Sequence, residues 1–486
     1  MAYKLRSYQE ECVKSISSYI NSDRNDPVLV IGPVGCGKSL LIAEAARLMG
    51  DKTLVLQPSK ELLQQNYDKL TSYGIPAAIY SASCGKKELS NMIYATLGSV
   101  KKVIGQLKEM GIRNVLIDEA HAGYSPEEDS EFMKFMNELK PSKVIGFTAT
   151  PCRLKTMSIG QVSYSQLNFI TRMRPVYFKN LIHVIQVEEM IRQGFWTPLK
   201  YETWDFNGDA LKLNSNGSEY TAGSISEAVR KNGLNNLILR RLMVLKDVCR
   251  SILVFMDSVE SCNTAAEWMN AKICAGMAEV VHGGTPKKQR EAIVERFKSG
   301  ETRVVFNYSA LGTGFDHPGL DCVVFGRPTF SFSTWYQTIG RAVRIKDGKD
   351  SAMVVDCCDN SSRFGDIRGL SIENYKGYGW GMFIGDKLIT NIPMGDKVTK
   401  TDLDIKAAKK DRRRGLAQGV TAAPVPGRPD HPLGSTVMTF GKYCGWMFHS
   451  IPVSYFKFIN ETFDWSNDRN REIKEYIDFL IKNNRL

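Results

Sequence analysis

Short apolar runs alternate with stretches of helical spacing along most of this chain. Val28-Leu29-Val30-Ile31 reads as a buried strand, and Leu40 to Met49 then carries good helix formers. Thr53-Leu54-Val55-Leu56 is a second apolar run, followed by a helix over Glu61 to Leu70. Asn114-Val115-Leu116-Ile117 and Val144-Ile145-Gly146-Phe147 predict two more strands. Strands that alternate with helices predict a parallel sheet. The stretch from Trp204 to Ser226 is polar and reads as a connection between domains. The alternation then resumes with Ile252-Leu253-Val254-Phe255, a helix over Ser261 to Met269, and strands at Val304, Cys322 and Ala352. Two tandem α/β domains follow, expected over 1–205 and 206–392.

After Ile392 the pattern breaks. Lys397 to Arg414 holds eight Lys/Arg against three Asp, and Ala422 to Pro432 holds prolines at 424, 426, 429 and 432. This basic, Pro-rich stretch predicts a linker over 393–433. A small aromatic-rich module is expected over 434–486.

Composition narrows the class. Of 486 residues, 43% are hydrophobic and 24% charged, which excludes a wholly disordered chain. No apolar run is long enough to span a membrane, and the start lacks the apolar stretch of a secretory signal. The expectation is a soluble protein with no membrane partner, in the cytoplasm of a bacterium or a phage-infected host. Eleven scattered cysteines without a CxxC read as reduced core residues. The formal charge of +12 suits a polyanionic partner such as nucleic acid.

Gly32-Pro33-Val34-Gly35-Cys36-Gly37-Lys38-Ser39 fits G-x-x-x-x-G-K-[ST] between a strand and a helix. In such a loop Gly35, Cys36 and Gly37 offer backbone N–H groups to phosphate. Lys38 reaches the β/γ-phosphates, and the Ser39 hydroxyl ligates Mg²⁺. Asp118-Glu119-Ala120-His121 follows another strand. Asp118 is placed to hold the Mg²⁺ through water, and Glu119 to deprotonate an attacking water. ATP with Mg²⁺ is the cofactor set these residues imply.

With those two elements on the page, the chain resembles a superfamily 2 helicase of DEAH type, with matches in family order from Arg6 to Arg344. The resemblance implies two RecA-like domains. Leu5-Arg6-Ser7-Tyr8-Gln9 resembles the L-R-x-Y-Q element, so Arg6 and Gln9 are implied at the adenine. Gln57 to Leu62 resembles motif Ia and Ala95 to Ser99 motif Ic, implying nucleic-acid contacts from Ser59, Lys60, Thr96 and Ser99. Phe147-Thr148-Ala149-Thr150-Pro151 resembles motif III, and Val254 to Ser258 motif IV. Gly283 lies in an element implied to touch nucleic acid, while Gly312-Thr313-Gly314-Phe315-Asp316 resembles motif V, with Gly314 and Asp316 near the nucleotide. Gln337-Thr338-Ile339-Gly340-Arg341-Ala342-Val343-Arg344 resembles motif VI, whose Gln337, Arg341 and Arg344 join Lys38, Asp118, Glu119 and His121 as implied catalytic residues. Arginines there can stabilise charge on a γ-phosphoryl group.

A finer resemblance is to RadD-like and phage branch-migration helicases, carried by Ile191 to Leu199. Only Cys357-Cys358 stands where RadD-like proteins often have a cysteine-rich zinc element, so no zinc is expected. The implied function is an ATP-dependent DNA helicase acting on forked, branched or single-stranded DNA beside replication or recombination proteins. A double-strand translocase or annealing motor, an RNA helicase and an inactive nucleotide sensor are the other readings. Cys152 to Tyr177 is a candidate strand-separating insertion, or an ordinary loop and strand pair. Near the end, Phe440-Gly441-Lys442-Tyr443-Cys444-Gly445 with Pro452 and Tyr455-Phe456 resembles an F-G-K-x-x-G module of phage proteins and DNA exonucleases. Lys442 is its implied nucleic-acid contact, and most of its aromatic rings read as core.

Overall fold

The computed structural model describes residues 4–159, 162–311 and 317–407, and in the tail 433, 436, 438, 443, 447, 448, 451, 453–462 and 471–483. The chain divides into two compact units, Met1–Thr401 and Asp402–Leu486.

The first unit is α/β and holds two mostly parallel sheets, as the alternation of apolar runs predicts. Helix α1 (Ser7–Ile20) opens with the Gln9 side chain reaching back to accept from Arg6 N at 3.0 Å. Strand β1 (Val28–Ile31) leads through the phosphate loop to α2 (Lys38–Met49), and β2 (Thr53–Leu56) leads to α3 (Lys60–Thr71). Strands β3 (Ala78–Ser81), β4 (Lys86–Lys87), β5 (Met92–Ala95), β6 (Asn114–Ile117) and β7 (Lys143–Thr148) follow. An antiparallel hairpin, β8 (Cys152–Ile159) and β9 (Val162–Phe169), precedes β10 (Asn180–Val184). The first sheet runs β10-β1-β7-β6-β2-β5-β3-β4, parallel except for the β3–β4 pair. Its inner strands β1, β2, β5 and β6 are buried at every position, because helices cover both faces.

The second sheet comprises β11 (Leu199–Thr203), β12 (Ile252–Phe255), β13 (Ala278–His282), β14 (Val304–Tyr308), β15 (Cys322–Phe325) and β16 (Ala352–Asp356). It is parallel throughout, in the order β11-β16-β15-β12-β14-β13.

Two boundaries differ from those expected. Leu199–Thr203, assigned above to a first domain ending at 205, pairs with β16 of the second sheet. The stretch after it is no free connection, since Trp204, Phe206, Leu211 and Tyr220 pack on the second lobe's core. Spaced aromatic and aliphatic residues among polar neighbours carry no periodic signal, which is why this stretch reads as a loop. The linker also starts later than 393. A small antiparallel sheet, β17 (Leu370–Tyr375), β18 (Gly379–Ile384), β19 (Lys387–Leu388) and β20 (Val398–Thr399), takes in residues assigned to it. The four prolines lie outside the described residues.

The two lobes share one apolar cluster, which includes Ile31, Cys36, Phe147, Trp196, Tyr336 and Val343. In the tail unit Met438, Phe448, Ile451, Phe456, Ile459, Ile473, Tyr476, Ile477 and Leu480 form a core of their own. Phe448 and Phe456 are thus core rings, Tyr455 is half-buried, and Lys442, Phe440 and Trp446 lie outside the described residues.

Candidate nucleotide and nucleic-acid site

The motif segments fall at the carboxyl ends of parallel strands: the phosphate loop after β1, motif Ia after β2, Ic after β5, DEAH after β6 and motif III at the end of β7. That edge is where open α/β sheets bind ligands.

Backbone shape makes the phosphate loop. Gly35 and Gly37 adopt φ of 79° and 81°, in the left-handed region that favours glycine. A Cβ at Gly37 would also lie 2.6 Å from the Gln9 amide nitrogen. Gln9 itself is buried; its Nε2 donates to Cys36 O at 2.9 Å and its Oε1 accepts from Arg6 N at 3.0 Å. Tyr8 Oη donates to the same Cys36 carbonyl at 3.1 Å. Cys36 turns its thiol into the core, where burial pushes it up to about 12, and its N–H donates to Pro33 O at 3.1 Å. Ser39, half-buried, opens α2 beside Lys38.

Lys38 pairs with Glu119. Burial works against the ammonium, but Glu119 and Asp118 outweigh it and raise its pKa. Burial would likewise raise Glu119, yet Lys38 and His121 hold its carboxyl low. Asp118 goes the other way, raised by burial and by Glu119. Asn66 Nδ2 donates to Asp118 Oδ2 at 2.8 Å, and Glu119 N donates to Oδ1 at 2.8 Å. Glu119 has a φ of 46°, unusual for a residue with a side chain, so the DEAH turn is held in a strained shape by its surroundings. His121 lies between two hydroxyls, Thr148 Oγ1 at 2.8 Å and Thr150 Oγ1 at 2.9 Å, with Glu119 Oε2 at 3.2 Å from Nδ1. Motif III is thereby wired to the DEAH turn through one imidazole.

The donors suit magnesium. A serine hydroxyl and one carboxylate are hard oxygen ligands, and Mg²⁺ usually takes one or two carboxylates and completes its shell with water and phosphate. Among the described residues no group of three His, Cys, Asp or Glu stands together as a metal site.

The second lobe meets this site through the helix Phe332–Ala342. A Cβ at Gly340 would lie 2.4 Å from Val34 Cβ. Val34 N donates to Tyr336 Oη at 3.4 Å, and Trp196 Nε1 donates to Val34 O at 2.9 Å. Gln337 is half-buried on this helix and Arg341 is buried, its pKa lowered by burial to about 10. Burial lowers Arg344 as well, and its carbonyl accepts from Thr197 Oγ1 at 2.8 Å. Arg6 lies 4.2 Å over the Phe195 ring, so the segment Phe195–Thr197 touches Arg6, the glycine-rich loop at Val34 and Arg344 together. Gly314 and Asp316 lie outside the described residues.

The expected nucleic-acid residues among those described lie just after strands, in turns and at the first turns of helices. Ser59 caps α3 by accepting from Leu62 N at 3.3 Å, with Lys60 opening the helix. Thr96 Oγ1 donates to Ser99 Oγ at 3.0 Å at the end of β5, and Gly283 is exposed after β13. Asn66, Phe195 and Tyr336 are absent from the sequence-based site. Asn66 sits mid-helix with nothing to distinguish it, whereas the apolar spacing around Tyr336 marks only a buried helix face.

The fold is a pair of parallel-sheet α/β lobes, and each lobe matches a family model. Residues 2–153 match the family described as type III restriction enzyme, res subunit, and residues 235–346 match the helicase conserved C-terminal domain. The chain is 24% identical over 378 residues to the putative ATP-dependent helicase IRC3 of Saccharomyces cerevisiae, covering 74% of this chain and 52% of that protein. It is 24% identical over 332 residues to a 51.5 kDa protein of a Lactococcus phage, covering 68% and 65%. It thus spans about half to two thirds of the length of these relatives. In fold it is similar to a fragment of a putative HsdR subunit of a type I restriction enzyme from Vibrio vulnificus, with TM-score 0.55 at 18% identity over 75% of this chain and 66% of that one. It is also similar to the DNA-bound type ISP restriction-modification enzyme LlaBIII, with TM-score 0.54 at 16% identity over 74% and 28%.

Proposed function

We propose that this chain hydrolyses ATP to move along or open DNA, with forked or branched DNA as its preferred substrate. The observation that carries this reading is the seating of the arginine helix on the phosphate loop, with no room for a side chain at Gly340. Hydrolysis then requires both lobes, and a motion between lobes is what a motor needs. A nucleotide's phosphates compete with Glu119 for Lys38. Their arrival frees the Glu119 carboxylate, already held in its basic form, to take a proton from water. Ser39 and, through water, Asp118 would hold Mg²⁺, which would supply neutralisation of phosphate charge. Arg341 and Arg344 carry the fixed positive charge of the other lobe. His121, through Thr148 and Thr150, ties the turn that carries Glu119 to the end of β7. The basic surplus of +12 supports a nucleic-acid partner, and the names of relatives such as IRC3 and the DNA helicase Hel308 of Pyrococcus horikoshii agree with a helicase.

The test is ATPase and unwinding on the full chain with forks, three- and four-way junctions, linear tailed duplex and RNA. Stimulation by junction DNA above linear DNA and RNA is expected. Glu119→Gln should retain ATP binding and lose turnover by about 100-fold or more. Equal turnover in Glu119→Gln removes the general base, and stimulation by RNA alone replaces the DNA reading.

A further inference from the structure

The β8–β9 hairpin begins directly after motif III and has a place in neither nucleotide binding nor the sheets. Three sets of contacts mark its course. At its root, Arg153 Nη2 donates to Ala120 O at 3.3 Å and to Tyr124 O at 2.5 Å, so the hairpin holds the DEAH turn and the residues just after it. Midway, Thr156 Oγ1 donates to Asn216 O at 3.0 Å and Ser165 Oγ to Gly217 O at 3.2 Å. Along its other edge, Asn391 N donates to Leu167 O at 2.7 Å and Met394 N to Ser165 O at 2.8 Å, adding a short stretch of backbone to β9.

The loop that receives the hairpin is itself tightly closed. Gly217 N donates to Asn214 O at 2.9 Å, Asn214 N to Glu219 O at 2.8 Å, and Leu213 and Tyr220 form an antiparallel bridge. Gly217 is buried with φ of 64°, and a Cβ there would stand 2.2 Å from Thr156 Oγ1. The loop then passes the connection on. Glu219 Oε2 accepts from Thr329 Oγ1 at 2.7 Å, and Oε1 accepts from Phe330 N at 2.8 Å. Thr329 Oγ1 accepts in turn from Ser331 N at 3.1 Å, and Ser331 is the N-cap of the arginine helix.

We propose that the hairpin and the 214–220 loop form a strap that sets the arginine helix relative to the DEAH turn, with Arg153 and Glu219 as positioning residues for hydrolysis. The chain of contacts is contiguous, and its two ends lie on the two groups that must be aligned in the transition state. It joins the lobes through protein contacts alone. The inference rests on the ATPase reading above and adds to it a second, protein-only connection between the lobes.

A double-mutant cycle on the full chain tests it. Wild-type ATPase with and without DNA is read first and judges the proposed function alone. The strap is judged by ratios between variants, on basal as well as stimulated turnover. Arg153→Ala and Glu219→Ala should each lower kcat about tenfold with KM for ATP within about twofold, and the double variant should fall little further. Arg153→Lys keeps one donor and should recover most of the loss. Thr156→Ala with Ser165→Ala removes only two hydroxyls from the middle and should lower kcat in the same way at an unchanged melting temperature. A double variant that falls about 100-fold, the product of the single effects, overturns the strap. So does wild-type kcat in the Thr156/Ser165 variant.

Discussion

His317 shows how much a single residue's surroundings decide. It is 4% exposed, its Nε2 lies 2.8 Å from Ser251 Oγ, and its ring meets Phe297 at a centroid distance of 5.1 Å. Burial, then Lys346, Lys298 and Lys349, push its pKa from 6.5 down to about 4. The unfolded chain therefore takes up a proton near pH 6.5 that the folded chain refuses until about pH 4. Stability from the neutral ring is present above pH 6.5 and is lost as pH falls through that window. Its share is roughly 3 kcal/mol. Denaturant titrations at a series of pH values should show a flatter acid limb in His317→Gln than in wild type. Parallel limbs would assign the acid sensitivity elsewhere. Nothing in the sequence sets this histidine apart from the other five.

At the scale of elements, the arginine helix is the informative one. Its Gly340 is helical and needs no special φ; what it needs is room beside Val34, whose Cβ and both Cγ atoms would lie 2.4–2.9 Å from an added Cβ. Gly340→Ala should wedge the helix off the phosphate loop and cut ATP turnover by about tenfold or more. Val34→Gly removes the colliding atoms and should restore much of that turnover. If the second change gives no rescue, contact with the loop is not what Gly340 provides. Arg344→Ala removes charge instead of packing, so ATP binding should persist while kcat falls by about 10³, with no rescue by Val34→Gly. Turnover and nucleotide affinity measured on these three proteins separate shape from charge. Motif spacing singles out Arg341 and Arg344 in the sequence; the packing of Gly340 on Val34 belongs to another lobe and has no local signal.

On the scale of the whole molecule, the chain is a two-lobed α/β unit to Thr401 followed by a tail unit with its own core. A cut at Asp396 would remove Val398–Thr399 from its pairing with Lys387–Leu388, so truncation belongs after Thr401. Such a protein should keep its melting temperature and its maximal ATPase but require more DNA to reach it, and the difference should shrink as salt rises. A joint fall of melting temperature and maximal rate would make the tail a structural brace. Among the described residues no helix is long and apolar enough to cross a membrane.

What the sequence determined by itself is whatever is coded locally. Apolar runs of three or four residues at β1, β2, β6, β12 and β15 demand burial on both faces, so the parallel α/β class was readable directly. Phosphate-loop chemistry needs glycines, a lysine and a hydroxyl at adjacent positions, so it too survives as a string. The tertiary structure alone decided which distant groups share an environment. Asn66 reaches Asp118 because α3 lies beside β6's end, His121 meets Thr148 and Thr150 across two strands, and Leu199–Thr203 joins the second sheet through its pairing with β16. The β8–β9 hairpin has no periodicity that separates it from an ordinary loop and strand pair. Its reach from the DEAH turn to Glu219's loop arises from contacts far apart in the chain, Arg153 with Ala120 at a separation of 33 residues and Thr156 with Asn216 at 60, and no local pattern encodes them.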